Sequence, residues 1–79
     1  MPTSIYHPSY KSLRAAMIAA RKTAGLTQVQ MAEKLGVGQS YVSKIERGES
    51  YVDVMTFVDW CHSCDLSPGK CLDQIIETF

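Results

Sequence analysis

The sequence predicts an all-α fold of five short helices. Three features carry that prediction. Apolar residues recur at three- and four-residue intervals along nearly the whole chain. Several of these runs open on a capping residue or a proline. Three of them close on a glycine: Gly25, Gly36 and Gly48. The pattern is helical throughout, and no strand, internal repeat or low-complexity tract is expected.

Each helix has its own justification. Leu13, Met17, Ala20 and Ala24 share one face of a first helix over about 9–24, stopped by Gly25. Thr27 followed by Gln30 is a capping box, in which the two side chains satisfy each other's free backbone N–H groups and open a second helix. Its inward residues are Met31, Ala32 and Leu35, and Gly36 ends it. Val37 bridges to a third helix, about 39–47, with Val42 and Ile45 as its apolar positions and Gly48 as its stop. A second box from Ser50 to Asp53 is expected to open a fourth helix over about 51–64, whose apolar face holds Val54, Phe57, Val58, Trp60, Cys61 and Cys64. Ser67, with Pro68 at the first helical position, opens a fifth helix carrying Cys71, Leu72, Ile75 and Ile76, with Phe79 after it.

Seventy-nine residues make one small domain, near the lower end of what folds unaided. The longest apolar run is far too short to cross a membrane, so no membrane role is expected. The opening MPTSIYHPSYK lacks the basic-then-apolar layout of a secretion signal. Three cysteines are an odd number in such a chain, which points to reduced thiols in a cytoplasmic protein.

Zero net charge hides an asymmetry. Residues 1–48 hold seven Lys/Arg against two Glu, a net +5, whereas residues 49–79 hold one Lys against six Asp/Glu, a net −5. Such segregation suits an anionic partner for the first part, although a solvated basic face gives the same count.

The stretch TQVQMAEKLGVGQSYVSKIERG, Thr27 to Gly48, is more restrictive. Counting from Gln28, Ala32 is fifth and Gly36 ninth. A small residue at the fifth place lets two helices approach closely, and glycine at the ninth supplies the positive φ of a short interhelical turn. Met31, Leu35, Val37, Val42 and Ile45 fill the apolar places of the unit.

With these residues the chain resembles the helix-turn-helix regulators of the Xre type, the family of lambdoid phage repressors. The resemblance runs through LRAAMIAARKTAGLTQVQMAEKLGVGQSYVSKIERGE and more loosely to Leu72. It implies a five-helix, lambda-repressor-like domain spanning 1–79, with the motif at about 27–48 and the helices of about 51–78 serving core and dimerisation. The second helix of the motif would lie in the major groove of double-stranded DNA.

Carried over by position, Gln28 would bond a phosphate at the start of the second helix, where free N–H groups favour an anion. Gln39 and Ser40 fall where the family places its foremost base-reading side chains; Gln can bond adenine N6 and N7 together. Ser43 and Arg47 follow Gln39 on the same face, with Lys44 beside them. Ser43 leaves room for a base edge, Lys44 suits a phosphate or guanine, and Arg47 suits a phosphate. Tyr41 fits either DNA contact or packing against the second helix. Arg21 and Glu46 match a family ion pair linking the first helix to the end of the third. Gly38 replaces a common Ser or Thr cap, and Asp65 stands where Gly is frequent after the fourth helix.

The CHSC stretch, Cys61 to Cys64, invites a metal or redox reading. Both thiols fall at buried apolar family positions, a closed zinc site needs further ligands, and the surroundings are acidic rather than thiolate-stabilising. Core packing is therefore expected, with no metal and no cofactor. No catalytic triad or carboxylate pair stands out, so the chain is not expected to be an enzyme. One recognition helix reads few base pairs, so a homodimer on a pseudo-palindrome is implied, with Leu72, Ile75, Ile76 and Phe79 as the expected interface. The resulting reading is a sequence-specific transcriptional regulator of bacterial or phage type, similar in size to restriction–modification controller proteins and, by resemblance, autoregulatory. The alternatives are a protein-interaction module such as an antitoxin, and a thiol-sensing regulator.

Overall fold

In a computed structural model describing residues 4–79, five helices follow one another: α1 (Pro8–Thr23), α2 (Gln28–Leu35), α3 (Gln39–Arg47), α4 (Val54–Ser63) and α5 (Pro68–Ile76). The described residues contain no strand. Met1 to Thr3, the start of the expected 1–79 domain, lie outside the described residues.

Local chemistry accounts for most of the boundaries. The Thr27–Gln30 capping box forms with both of its hydrogen bonds, at 3.1 and 2.9 Å. Gly36 and Gly48 close α2 and α3 at φ +71° and +77°, a region that costs an L-residue with a side chain roughly 1–2 kcal/mol. Asp65 takes the same left-handed conformation after α4, at φ +57°, as one of the few non-glycine types that tolerate it. Helix α1 starts at Pro8, one residue before its expected start, because the His7 Nδ1 lone pair accepts the Ser9 N–H as an N-cap.

Three expectations are corrected. Helix α4 begins at Val54 rather than near 51, and Asp53 alone caps it, accepting from the Thr56 N–H at 2.7 Å; the Ser50 hydroxyl turns to the Tyr51 carbonyl instead. The reason is long-range, because the Val52 N–H donates to the Tyr10 hydroxyl on α1 and holds residues 51–52 out of the helix. Val54, expected on the apolar face, sits at the first helical position and is 76% exposed, and Ala24 is exposed as the cap of α1.

The core lies where the helices converge. Met17 of α1, Met31 and Ala32 of α2, Val42 and Ile45 of α3, and Trp60 of α4 with its C-cap Cys64 form one buried cluster. Helix α2 packs chiefly on α3 and α4, while α1 crosses behind α3, α4 and α5. Trp60 is fully enclosed, and its indole N–H donates to the Met17 carbonyl at 2.9 Å, so the largest side chain is also polar-satisfied.

Candidate nucleic-acid interface

The pairing of α2 with α3 presents one helix outward. Ala32 is buried at the crossing with no bulk to hold the helices apart, and Gly36 turns the chain so that only three residues separate α2 from α3. Val42 and Ile45 are fully buried, which fixes the rotation of α3 about its own axis. That rotation leaves Gln39, Ser40, Lys44 and Arg47 exposed, with Ser43 half-buried among them. Gly38 caps α3 without a side-chain bond, leaving the first N–H groups of α3 without that partner.

Tyr41 goes elsewhere. It is half-buried at the edge of the core, with its hydroxyl 3.4 Å from the Thr56 hydroxyl of α4. In the free chain it packs at the edge of the core, and α4 rather than α2 provides its hydroxyl's partner.

Behind α3 stands a buried charge network. Arg21 donates through Nε to Glu46 Oε2 at 2.6 Å and through Nη2 to Glu46 Oε1 at 2.9 Å, while Nη1 donates to the Leu26 carbonyl at 2.8 Å. Glu46 Oε1 also accepts from Gln28 Nε2 at 3.0 Å. This last bond has no signal in the motif spacing. It ties the first residue of α2 to the C-terminal turn of α3 and directs the Gln28 amide nitrogen at the carboxylate.

At the far end of α3, Arg47 is engaged with the Glu49 carboxylate through Nε and with the Ser43 hydroxyl through Nη1 at 2.6 Å. Arg47 and Glu49 lie at the surface, where such contacts are worth little and exchange readily for a phosphate oxygen. Among the described residues Lys44 has no ion-pair partner. The sequence reading missed Arg14 of α1, which bonds the Ile5 carbonyl at 2.6 Å and lies against Gly48.

The cysteines belong to the interior. Cys61 and Cys64 are buried and Cys71 half-buried, all as free thiols. Burial pushes the Cys61 thiol up to about 12, with the nearby Cys71 adding to the effect, and burial raises Cys64 as well. Both are therefore protonated near neutrality, the opposite of a reactive thiolate. On α5, Ile75 is 5% exposed and part of the monomer interior, so the expected interface set narrows to Leu72, Ile76 and Phe79, exposed by 42, 50 and 61%.

Known proteins share this arrangement. A helix-turn-helix family profile matches residues 17–70. No curated protein matches the chain. Among solved structures, an XRE-family-like protein from Pseudomonas syringae pv. tomato superposes with a TM-score of 0.83 at 36% identity, covering 87% of this chain and 84% of that one. Two structures of the clp gene regulator ClgR from Corynebacterium glutamicum superpose with a TM-score of 0.77 each. One is 26% identical over 98% of this chain and 77% of its own, the other 25% identical over 100% and 96%.

Proposed function

The chain belongs to the XRE-type helix-turn-helix family of sequence-specific DNA-binding regulators, and on that footing we propose that it acts as a homodimer on an operator of two inverted half-sites. The observation that carries this reading is the rotation of α3. Its apolar side is wholly consumed by the core, and what remains outside is a row of hydrogen-bonding and cationic side chains suited to base edges and phosphates.

In this reading α3 enters the major groove with Gln39 and Ser40 foremost. Gln39 is long and exposed at the first helical position, as bidentate bonding to adenine requires. Ser43 and Lys44 follow along the groove, and Lys44 and Arg47 meet the phosphates that bound it. Gln28 spends one amide hydrogen on Glu46 and has the second for a phosphate. The Arg21–Glu46 pair holds α1 and α3 in the orientation that points these groups one way.

Residues 27–48 are thus assigned to reading DNA, and residues 51–78 to core and self-association. Leu72 and Ile76, one turn apart on α5, with Phe79 just beyond, form an apolar strip that a second copy would cover. Two copies related by a two-fold axis would place their recognition helices about 34 Å apart, one turn of DNA. That ClgR is a gene regulator supports transcription as the process controlled. Binding near its own promoter, in the manner of small controller proteins, belongs to the same reading. No helix is long and apolar enough to cross a membrane; the compartment proposed is the cytoplasm, where a bacterial or phage operator is found.

Selection of bound duplexes from a random-sequence pool at near-physiological salt tests the whole reading. An enriched inverted repeat is expected. Enrichment of a single half-site would remove the dimer, and no enrichment by folded protein would remove sequence-specific recognition of free duplex.

A further inference from the structure

We propose that Arg14 and Tyr51 together hold one phosphodiester group of the DNA backbone beside the C-terminal end of α3. The inference rests on the placement of α3 in the major groove and extends the interface to two residues outside the motif.

The first observation is a charge without a counter-charge. Arg14 is half-buried, yet the ion pairs among the described residues are Arg21–Glu46 and Arg47–Glu49 only. Its recorded partners are the Ile5 carbonyl, reached by Nη1 at 2.6 Å, and the face of Tyr10, whose centroid is 5.5 Å from Cζ. A guanidinium has five N–H donors, and among the described residues one of them is used. A partly desolvated cation with donors to spare favours an anion.

The second is where that cation sits. A Cβ built on Gly48 would stand 2.8 Å from Arg14 Cζ, so the guanidinium lies flush against the residue that closes α3. Gly48 directly follows the last turn of α3, which carries the exposed cations Lys44 and Arg47. The adjacent carboxylate, Glu49, is already engaged by Arg47.

The third is a platform. Tyr51 follows three residues after Gly48 and is 57% exposed. Its ring stands edge-on to Tyr10, with centroids 5.4 Å apart at 84°, and the Tyr10 hydroxyl accepts from the neighbouring Val52 N–H. The Tyr10 ring thus contacts both Arg14 and Tyr51, so that a half-buried guanidinium and an exposed phenol are available as donors near the end of the groove-reading helix. Two such donors near an exposed basic end suit a phosphate, which offers only acceptors.

The test uses the full chain on its selected duplex, scanned with single neutral methylphosphonate linkages, for the wild type, Arg14→Gln and Tyr51→Phe. Arg14→Gln should weaken specific and non-specific binding alike, by roughly tenfold, and make the slope of log K against log salt shallower by about 0.9. Tyr51→Phe keeps the ring packing and should lose binding several-fold without a change in melting temperature. One methylphosphonate flanking each half-site should weaken the wild type and leave Arg14→Gln unaffected. If the salt slope is unchanged, or every methylphosphonate penalises wild type and variants equally, Arg14 only braces the helix end and the proposal fails. Should Arg14→Gln not fold, the Tyr51→Phe scan alone decides. Gln39→Ala tests the placement of α3 separately, through lost selectivity at the central bases.

Discussion

Arg21 and Glu46 face each other edge to edge across a sequence separation of 25 residues, with two N–H groups of the guanidinium on the two oxygens of the carboxylate. Only 10% of the arginine side chain and 6% of the glutamate side chain reach solvent. A pair so enclosed does little for stability when compared with apolar residues of the same shape, but either charge left alone is costly. Arg21→Ala or Glu46→Ala should each lower the unfolding free energy by about 3–5 kcal/mol, read from urea denaturation. The double variant should lose less than the sum of the two, and strict additivity would show that the charges do not interact.

The base reader and the phosphate contacts should separate in binding data. Gln39→Ala is expected to cost about 1–3 kcal/mol at the selected operator and almost nothing on unrelated DNA. Lys44→Ala should weaken both alike and reduce the salt slope by about one unit. Titrations at several salt concentrations on both duplexes give all four numbers, and the opposite pattern would exchange the two roles.

Self-association should depend on the exposed strip of α5. Ile76 is half-exposed in the single chain, so Ile76→Asp should leave the melting temperature nearly unchanged. Sedimentation should find a dimer for the wild type and a monomer for this variant. Affinity for the full inverted repeat should fall toward that for one half-site. A dimer that survives this change would have its interface on another surface.

Acid should loosen the entry to α4 first. Hydrogen bonds from Thr56, backbone first and hydroxyl second, hold the Asp53 carboxyl below its ordinary value of 3.8. The unfolded chain then takes up the proton more readily than the native one, so stability falls as pH falls. The contribution is complete above pH 3.8 and disappears as pH drops through the lower native value. Asp53→Asn retains a capping oxygen and should flatten this part of the acid limb in thermal melts between about pH 2 and 5, while matching the wild type near neutrality.

Much of the architecture was readable because its causes are local. The limits of α3, Gln39 to Arg47, follow from a turn glycine, two apolar positions and a closing glycine. The capping box at Thr27 and the proline start of α5 need no information from elsewhere in the chain. What stayed hidden depends on distant partners. Ser50 and Asp53 are both competent caps, and the choice between them is made by Tyr10, 42 residues from the backbone N–H it accepts. Arg14 looked like any surface cation until Gly48 and Ile5 were brought to it. Ile75 and Ile76 are adjacent and chemically identical, yet one is enclosed and the other half-exposed, a distinction set only by how α5 seats against α1 and α4.

The enclosure of Trp60 also has a spectroscopic consequence. It is the sole tryptophan, fully shielded from water and bonded to a carbonyl in the middle of α1. Its emission should be blue-shifted in the native state and move red only when α1 and α4 part company. The indole nitrogen is bonded to the Met17 carbonyl inside the core, so docking of the proposed interface on an operator should leave the emission maximum where it was. The same fluorophore that reports unfolding is thus silent to ligand, and chain integrity can be followed optically during a DNA titration without a label.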